Sequence, residues 1–232
     1  MYTVFIPKYE YDSTPFRITK VISTFMKNSC CDCIISSPGY LSTTSNTIKT
    51  FLANLNRDIN NSKKIYISFL NGMNGARLLS NNNTIRQEHV SLLGTTGYLY
   101  PLITNCIDYK DHRKMMFFID CNGNVPGVLD KNNYNSFIDS SRLLGVLIGS
   151  SNQSLNTYYG GSNSRSADKG EADILMYIDP GNTLTPVMND LHQAIEEIRI
   201  SRSIDESLYS GIDADEKYFK RMLKDFLEKN LS

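Results

Sequence analysis

The stretch "HRKMMFFID", residues 112–120, sets a histidine and a lysine two apart at the head of an apolar run. In a strand, side chains two apart project to the same side, so His112 and Lys114 share a face in that reading. The run "MMFFI" shows no alternation, which is the pattern of a strand covered on both faces of a sheet. Two later stretches, "LLGVLIGS" (143–150) and "EADILMYID" (171–179), have the same character.

Working outward, "CDCIISSPGYLS" (31–42) is a buried strand stopped by Pro38-Gly39. After it, "STTSNTIKTFLANLNRDINN" (42–61) opens on capping residues and places Ile48, Phe51, Leu52 and Leu55 at helical spacing. A further strand, "KKIYISFL" (63–70), is bounded by the turn-forming "NGMNG". Strand, helix, strand and then several apolar strands predict an α/β domain with a largely buried sheet. "CNGNVPGVLDKNNYNSFIDSS" (121–141) is rich in turn formers and is expected to be a loop excursion. Its Lys131, Asn132, Asn133 and Tyr134 are chemically suited to substrate contact, although a solvated loop is the simpler expectation. Beyond Pro186, "VMNDLHQAIEEIRIS" and "DEKYFKRMLKDFLEK" carry apolar residues three and four apart and predict two helices. The second presents a stripe of Tyr218, Phe219, Met222, Leu223, Phe226 and Leu227, better suited to packing on protein than to lying on a membrane. The expected organisation is a catalytic domain over 1–185 and a C-terminal helical extension over 186–232, packed on that domain or on a partner.

Composition narrows the function. Lys+Arg and Asp+Glu stand at 24 each, so no overall basic charge marks an indiscriminate nucleic-acid binder. The N-terminus lacks a basic start followed by an apolar core, and no apolar run is long enough to span a bilayer. Three of the five cysteines lie in "CCDC" at Cys30, Cys31 and Cys33, while Cys106 and Cys121 stand apart. That spacing gives neither a disulfide framework nor a zinc site, and a cytoplasmic location is the expectation.

Three short segments carry the chemistry. The first is His112-x-Lys114, opening an apolar strand. Next, Gly149-Ser150-Ser151-Asn152 closes the following apolar run, in "GSSNQS". Last, Glu171 precedes a third run, in "KGEADI". This ordered set resembles the phospholipase D superfamily over about residues 112 to 178, and is most similar to its single-motif, metal-independent nuclease branch, which includes certain restriction endonucleases. The resemblance implies a mixed β-sheet flanked by helices and a phosphodiester-cleaving site. In it, His112 is either the nucleophile on phosphorus or the acid that protonates the leaving oxygen. Lys114 and Asn152 would hold non-bridging oxygens, and Ser150 would support them as a donor. Glu171 would fix the tautomer of His112. No metal or cofactor is implied.

Because the family mechanism uses two histidines and this chain has one motif, the resemblance further implies a homodimer with a composite site. His192 lies in a helical pattern, and neither it nor His89 is followed by lysine two residues later. One motif and no hydrophobic anchor favour DNA over lipid as substrate. DNA reading would then come from a separate subunit or fusion, since the tail is short for a recognition domain. The other readings are a catalytically silent nucleic-acid-binding dimer, or a phospholipase or other phosphodiesterase of the superfamily. The chain departs from the family pattern five residues after the lysine. The family has aspartate there; this chain has Ile119, with the acid one place later at Asp120.

Overall fold

The computed structural model describes residues 1–7, 17–38, 53–54, 57, 64–69, 99–104, 113–150, 172–194, 199–202 and 212–231. In chain order they form β1 (Tyr2–Pro7), α1 (Arg17–Asn28), β2 (Cys33–Pro38), β3 (Ile65–Phe69), β4 (Leu99–Pro101), β5 (Ile103–Thr104) and β6 (Lys114–Asp120). There follow β7 (Val128–Leu129), α2 (Tyr134–Ser140), β8 (Arg142–Gly149), β9 (Ala172–Tyr177), α3 (Leu184–Ala194), β10 (Arg199–Arg202) and α4 (Ile212–Asn230).

Eight strands make one mixed sheet in the order β10-β1-β9-β8-β6-β2-β3-β4, and β5 pairs with β7 separately. The expected mixed α/β architecture, with helices on the sheet and a C-terminal helix, is the one observed. The strands expected from "CDCIISSPGYLS", "KKIYISFL", "MMFFI", "LLGVLIGS" and "EADILMYID" are β2, β3, β6, β8 and β9. Of the helix expected over 42–61, residues 53, 54 and 57 are described, and they are helical.

Residues Met115 to Ile119 are all buried because β6 lies between β8 and β2 with a layer on each face. On the first face, α1 lays down Ile18, Val21, Ile22, Phe25 and Met26, and α3 adds Leu184 and Met188. These pack on Ile34, Met116, Phe118, Leu147 and Leu175 from the sheet. On the second face, α4 lays down Phe219, Leu223, Phe226 and Leu227 against Ile35, Phe117, Ile119 and Val146. Burying aliphatic and aromatic side chains on this scale gives about 1.5–3 kcal/mol each before chain entropy is counted. Among the described residues no helix is long and apolar enough to cross a membrane.

Two local expectations are corrected. The excursion after Asp120 is not a solvated loop: Leu129, Tyr134, Phe137 and Ile138 are buried in the second-face core. Asn133 organises it, accepting from the Asp130 N–H at 2.9 Å and donating to the Val128 carbonyl at 2.7 Å. The hydroxyl of Tyr134 donates to Glu228 on α4 at 3.1 Å. The other correction concerns the helical reading of "VMNDLHQAIEEIRIS". Its last three residues, 199–201, belong to β10 (Arg199–Arg202), paired antiparallel with β1, because the open edge of β1 offers a ladder that outweighs local helical spacing.

Candidate active site

All strands that bear on the motifs meet at one end of the sheet. There β1, β2 and β8 finish while β6 and β9 begin, with Pro38 opposite Lys114, Lys114 opposite Gly149, Gly149 opposite Asp173 and Pro7 opposite Ala172. Cross-strand partners project to one face, so Lys114 and Asp173 both belong to the face covered by α1 and α3. The apolar runs also turn polar here: Ile34-Ile35 gives way to Ser36-Ser37, buried in β2. Ser36 donates to the Met115 carbonyl at 3.1 Å, and the hydroxyls of Ser68 and Thr104 are 2.9 Å apart.

Of the five residues singled out from sequence, Lys114 and Ser150 are described; His112, Asn152 and Glu171 lie outside the described residues, as do His89 and Cys106. His192 is in α3. Lys114 is half-buried at the first position of β6. The preceding residue, Arg113, places its guanidinium 4.8 Å from the ring centroid of Phe226, which ties the start of the motif strand to α4. Ser150 clamps the end of β8 to the start of β9. Its backbone N–H donates to the Ala172 carbonyl at 3.0 Å, and its hydroxyl oxygen accepts from the Ala172 N–H at 3.0 Å. In this way the described neighbours of all three motif segments stand on adjacent strands.

Sequence reasoning missed Asp173. It is 4% exposed, and its carboxylate takes the space above Gly149: a Cβ added there would meet Asp173 Oδ1, and would come within 2.5 Å of Asp173 Cγ and 2.6 Å of the Ala172 carbonyl oxygen. Glycine at 149 is therefore required by close approach, not only by proximity to a turn. The available signal was the pair of acids two apart in "EADIL", which alternation assigns to one face.

Asp120 lies at the other end of β6. A strand rises about 3.3 Å per residue, so it is roughly 20 Å from Lys114. It is 3.9 Å from Arg142 and accepts from the Asn122 N–H at 2.9 Å. The irregularity in the β6–β8 pairing falls between Phe118 and Ile119, but it does not carry Asp120 toward the motif end. Ile119 is fully buried. The described cysteines, Cys30, Cys31, Cys33 and Cys121, gather at this opposite end, where Asp32 accepts from the Cys121 and Gly123 N–H groups at 2.7 and 2.8 Å. A hydrogen bond with Cys121, together with burial, pushes the Cys33 thiol well up. Cys30 is exposed, yet partial enclosure of its thiol and the neighbouring Asp120 carboxylate push its pKa up to about 11.

The structure is similar to the crystal structure of phosphatidylserine synthase from Haemophilus influenzae Rd KW20, with a TM-score of 0.38 and 14% sequence identity. The likeness covers 98% of this chain, which spans 46% of that one. No protein-family model and no curated protein matches the sequence.

Proposed function

We propose that this chain is a metal-independent phosphodiesterase of phospholipase D type, and specifically a DNA endonuclease with its site shared between two copies. The observation that carries the reading is the meeting of Lys114, Gly149-Ser150 and Ala172 on neighbouring strand ends. These residues directly adjoin or lie within the "HRK", "GSSN" and "GEAD" segments.

In this mechanism a ring nitrogen of His112 attacks phosphorus, and the bond from phosphorus to the leaving oxygen breaks. The histidine of a second copy protonates that oxygen. Water then cleaves the phosphorus–nitrogen bond, giving a proton back to the second histidine. Splitting the displacement in two lowers each barrier, and a histidine with a pKa near 6.5 serves either role near neutral pH. Lys114 and Asn152 hold the non-bridging oxygens, and Glu171 orients His112. Ser150, whose hydroxyl contacts Ala172 at 3.0 Å, would fix the start of β9 next to Glu171 while supporting the oxygens.

The test is incubation with DNA, and separately with phosphatidylcholine vesicles, in excess chelator. DNA cleavage that survives chelation and disappears in His112→Ala supports the endonuclease. Release of choline or phosphatidic acid instead moves the substrate to lipid. DNA binding without cleavage identifies a silent nucleic-acid-binding dimer. An active species that sediments as a monomer overturns the shared site.

A further inference from the structure

We propose that Cys33 and Cys121 form a redox-modification site: a dithiol that hydrogen peroxide converts into an intramolecular disulfide, stapling β2 to the turn that follows β6. Both side chains belong to the second-face core, at 0% and 5% exposed. The β2–β6 register sets Cys33 opposite Ile119, so Cys121, two residues further along, is its diagonal neighbour on the same face. The two side chains are hydrogen-bonded to each other. Asp32 draws the same two segments together. Its N–H donates to the Ile119 carbonyl at 3.0 Å, and its carboxylate accepts from the Cys121 N–H at 2.7 Å. The other described cysteines are placed differently. Cys31 belongs to the first-face core, and its thiol donates to the Cys33 carbonyl at 3.3 Å. Cys30 is exposed, beside Asp120.

A regular diagonal pair stands about 7–8 Å apart at Cα, slightly beyond the usual span of a disulfide. Closure therefore draws Cys121 inward by about an ångström or two. It lies just past the last residue of β6, where a shift disturbs less of the ladder than in mid-strand. The peroxide first meets Cys121, the less enclosed of the two. Its sulfur, as the thiolate, attacks one peroxide oxygen and the O–O bond breaks, giving a sulfenic acid and hydroxide, which takes up the thiol's proton as water. The Cys33 sulfur then displaces the sulfenic oxygen, which leaves with the Cys33 proton as a second water. One peroxide is reduced and two thiols are oxidised. The hydrogen bond to Cys121, together with burial, holds the Cys33 thiol protonated, so contact and not acidity selects this pair.

In the test, the folded full chain is treated with hydrogen peroxide, unfolded in N-ethylmaleimide and digested with trypsin without reductant. The number of alkylated cysteines should fall by two from the five in the chain. Residues 28–49 and 115–131 should be recovered as one linked species whose fragmentation places the bond between Cys33 and Cys121. Five alkylated cysteines, thiols lost without a link, or a bond to Cys30, Cys31 or Cys106 instead would each overturn the assignment. Cys31→Ala should keep the linked species and Cys33→Ala should abolish it; a link that persists in Cys33→Ala overturns the pair. The mapping on the unaltered chain decides the matter even where a variant fails to fold. The urea midpoint of the oxidised chain should rise and return on adding dithiothreitol, and an unmoved midpoint overturns the stapling. None of these readouts needs a substrate, so the site stands apart from the phosphodiesterase reading.

Discussion

The guanidinium of Arg113 lies over the ring of Phe226, 4.8 Å from its centroid. This contact joins the residue between His112 and Lys114 to the C-terminal helix, whose Phe226 also packs on Phe117 with ring centroids 5.4 Å apart. The strand start is therefore fixed from below by α4. Phe226 is fully buried, so Phe226→Ala should cost about 3–5 kcal/mol. Arg113→Met, which removes the cation but keeps much of the stem, should cost about 0.5–2 kcal/mol. Urea unfolding of the two variants measures both.

Gly149→Ala should destabilise the protein by about 1–3 kcal/mol, the usual range for forcing an extra carbon into a packed site. Its Cβ meets the Ala172 carbonyl as well as the Asp173 carboxylate, and the backbone contact cannot be relieved by rotating a side chain. Gly127, with nothing within 4 Å of an added Cβ, is the control: Gly127→Ala should be close to neutral by the same measurement.

Asp179 secures the entry to α3. Its carboxylate accepts from the N–H groups of Thr183, Leu184 and Thr185 at 3.1, 3.1 and 2.7 Å, and from the Thr185 hydroxyl at 2.7 Å. Asp179→Ala leaves those donors at a helix start unserved and should cost about 1–2 kcal/mol. Asp179→Asn keeps an acceptor and should cost less. Thermal melts of the pair decide the order.

Cys30 is exposed and yet should react slowly with thiol reagents. Partial enclosure and Asp120 raise its pKa from 9.0 to about 11, so its thiolate fraction at pH 8 is about a hundredfold below that of an ordinary thiol. Asp120→Asn should speed labelling at pH 8, and Arg142→Gln, which removes an opposing positive charge, should slow it. A labelling rate that ignores both substitutions would contradict this account.

The sheet was legible because its central strands are continuous apolar runs. "MMFFI" and "LLGVLIGS" could not be half-exposed without leaving several large side chains in water. Helix α1 went unread despite its apolar residues at 18, 21, 22, 25 and 26. Ile18, Thr19, Val21, Ile22 and Thr24 are β-branched and lower its intrinsic helicity, which burial against the sheet overrides. The excursion was opaque for a different reason. Its turn formers are real, but Phe137 and Ile138 find their cover on α4, some eighty residues away. At the candidate site, the short motifs drew attention to the strand ends at Lys114 and Ser150, while the position of Asp173 over Gly149 depends on the β8–β9 register. No local pattern encodes that register.

The sheet also constrains the order of events as the chain is made. β1 pairs on one side with β9 and on the other with β10, so the earliest-made of the described strands must wait for the last two. Until residues 172–202 emerge, Val4 and Ile6 can use neither ladder. Such distant pairings slow folding, and the finished sheet should form in a late, largely all-or-none step.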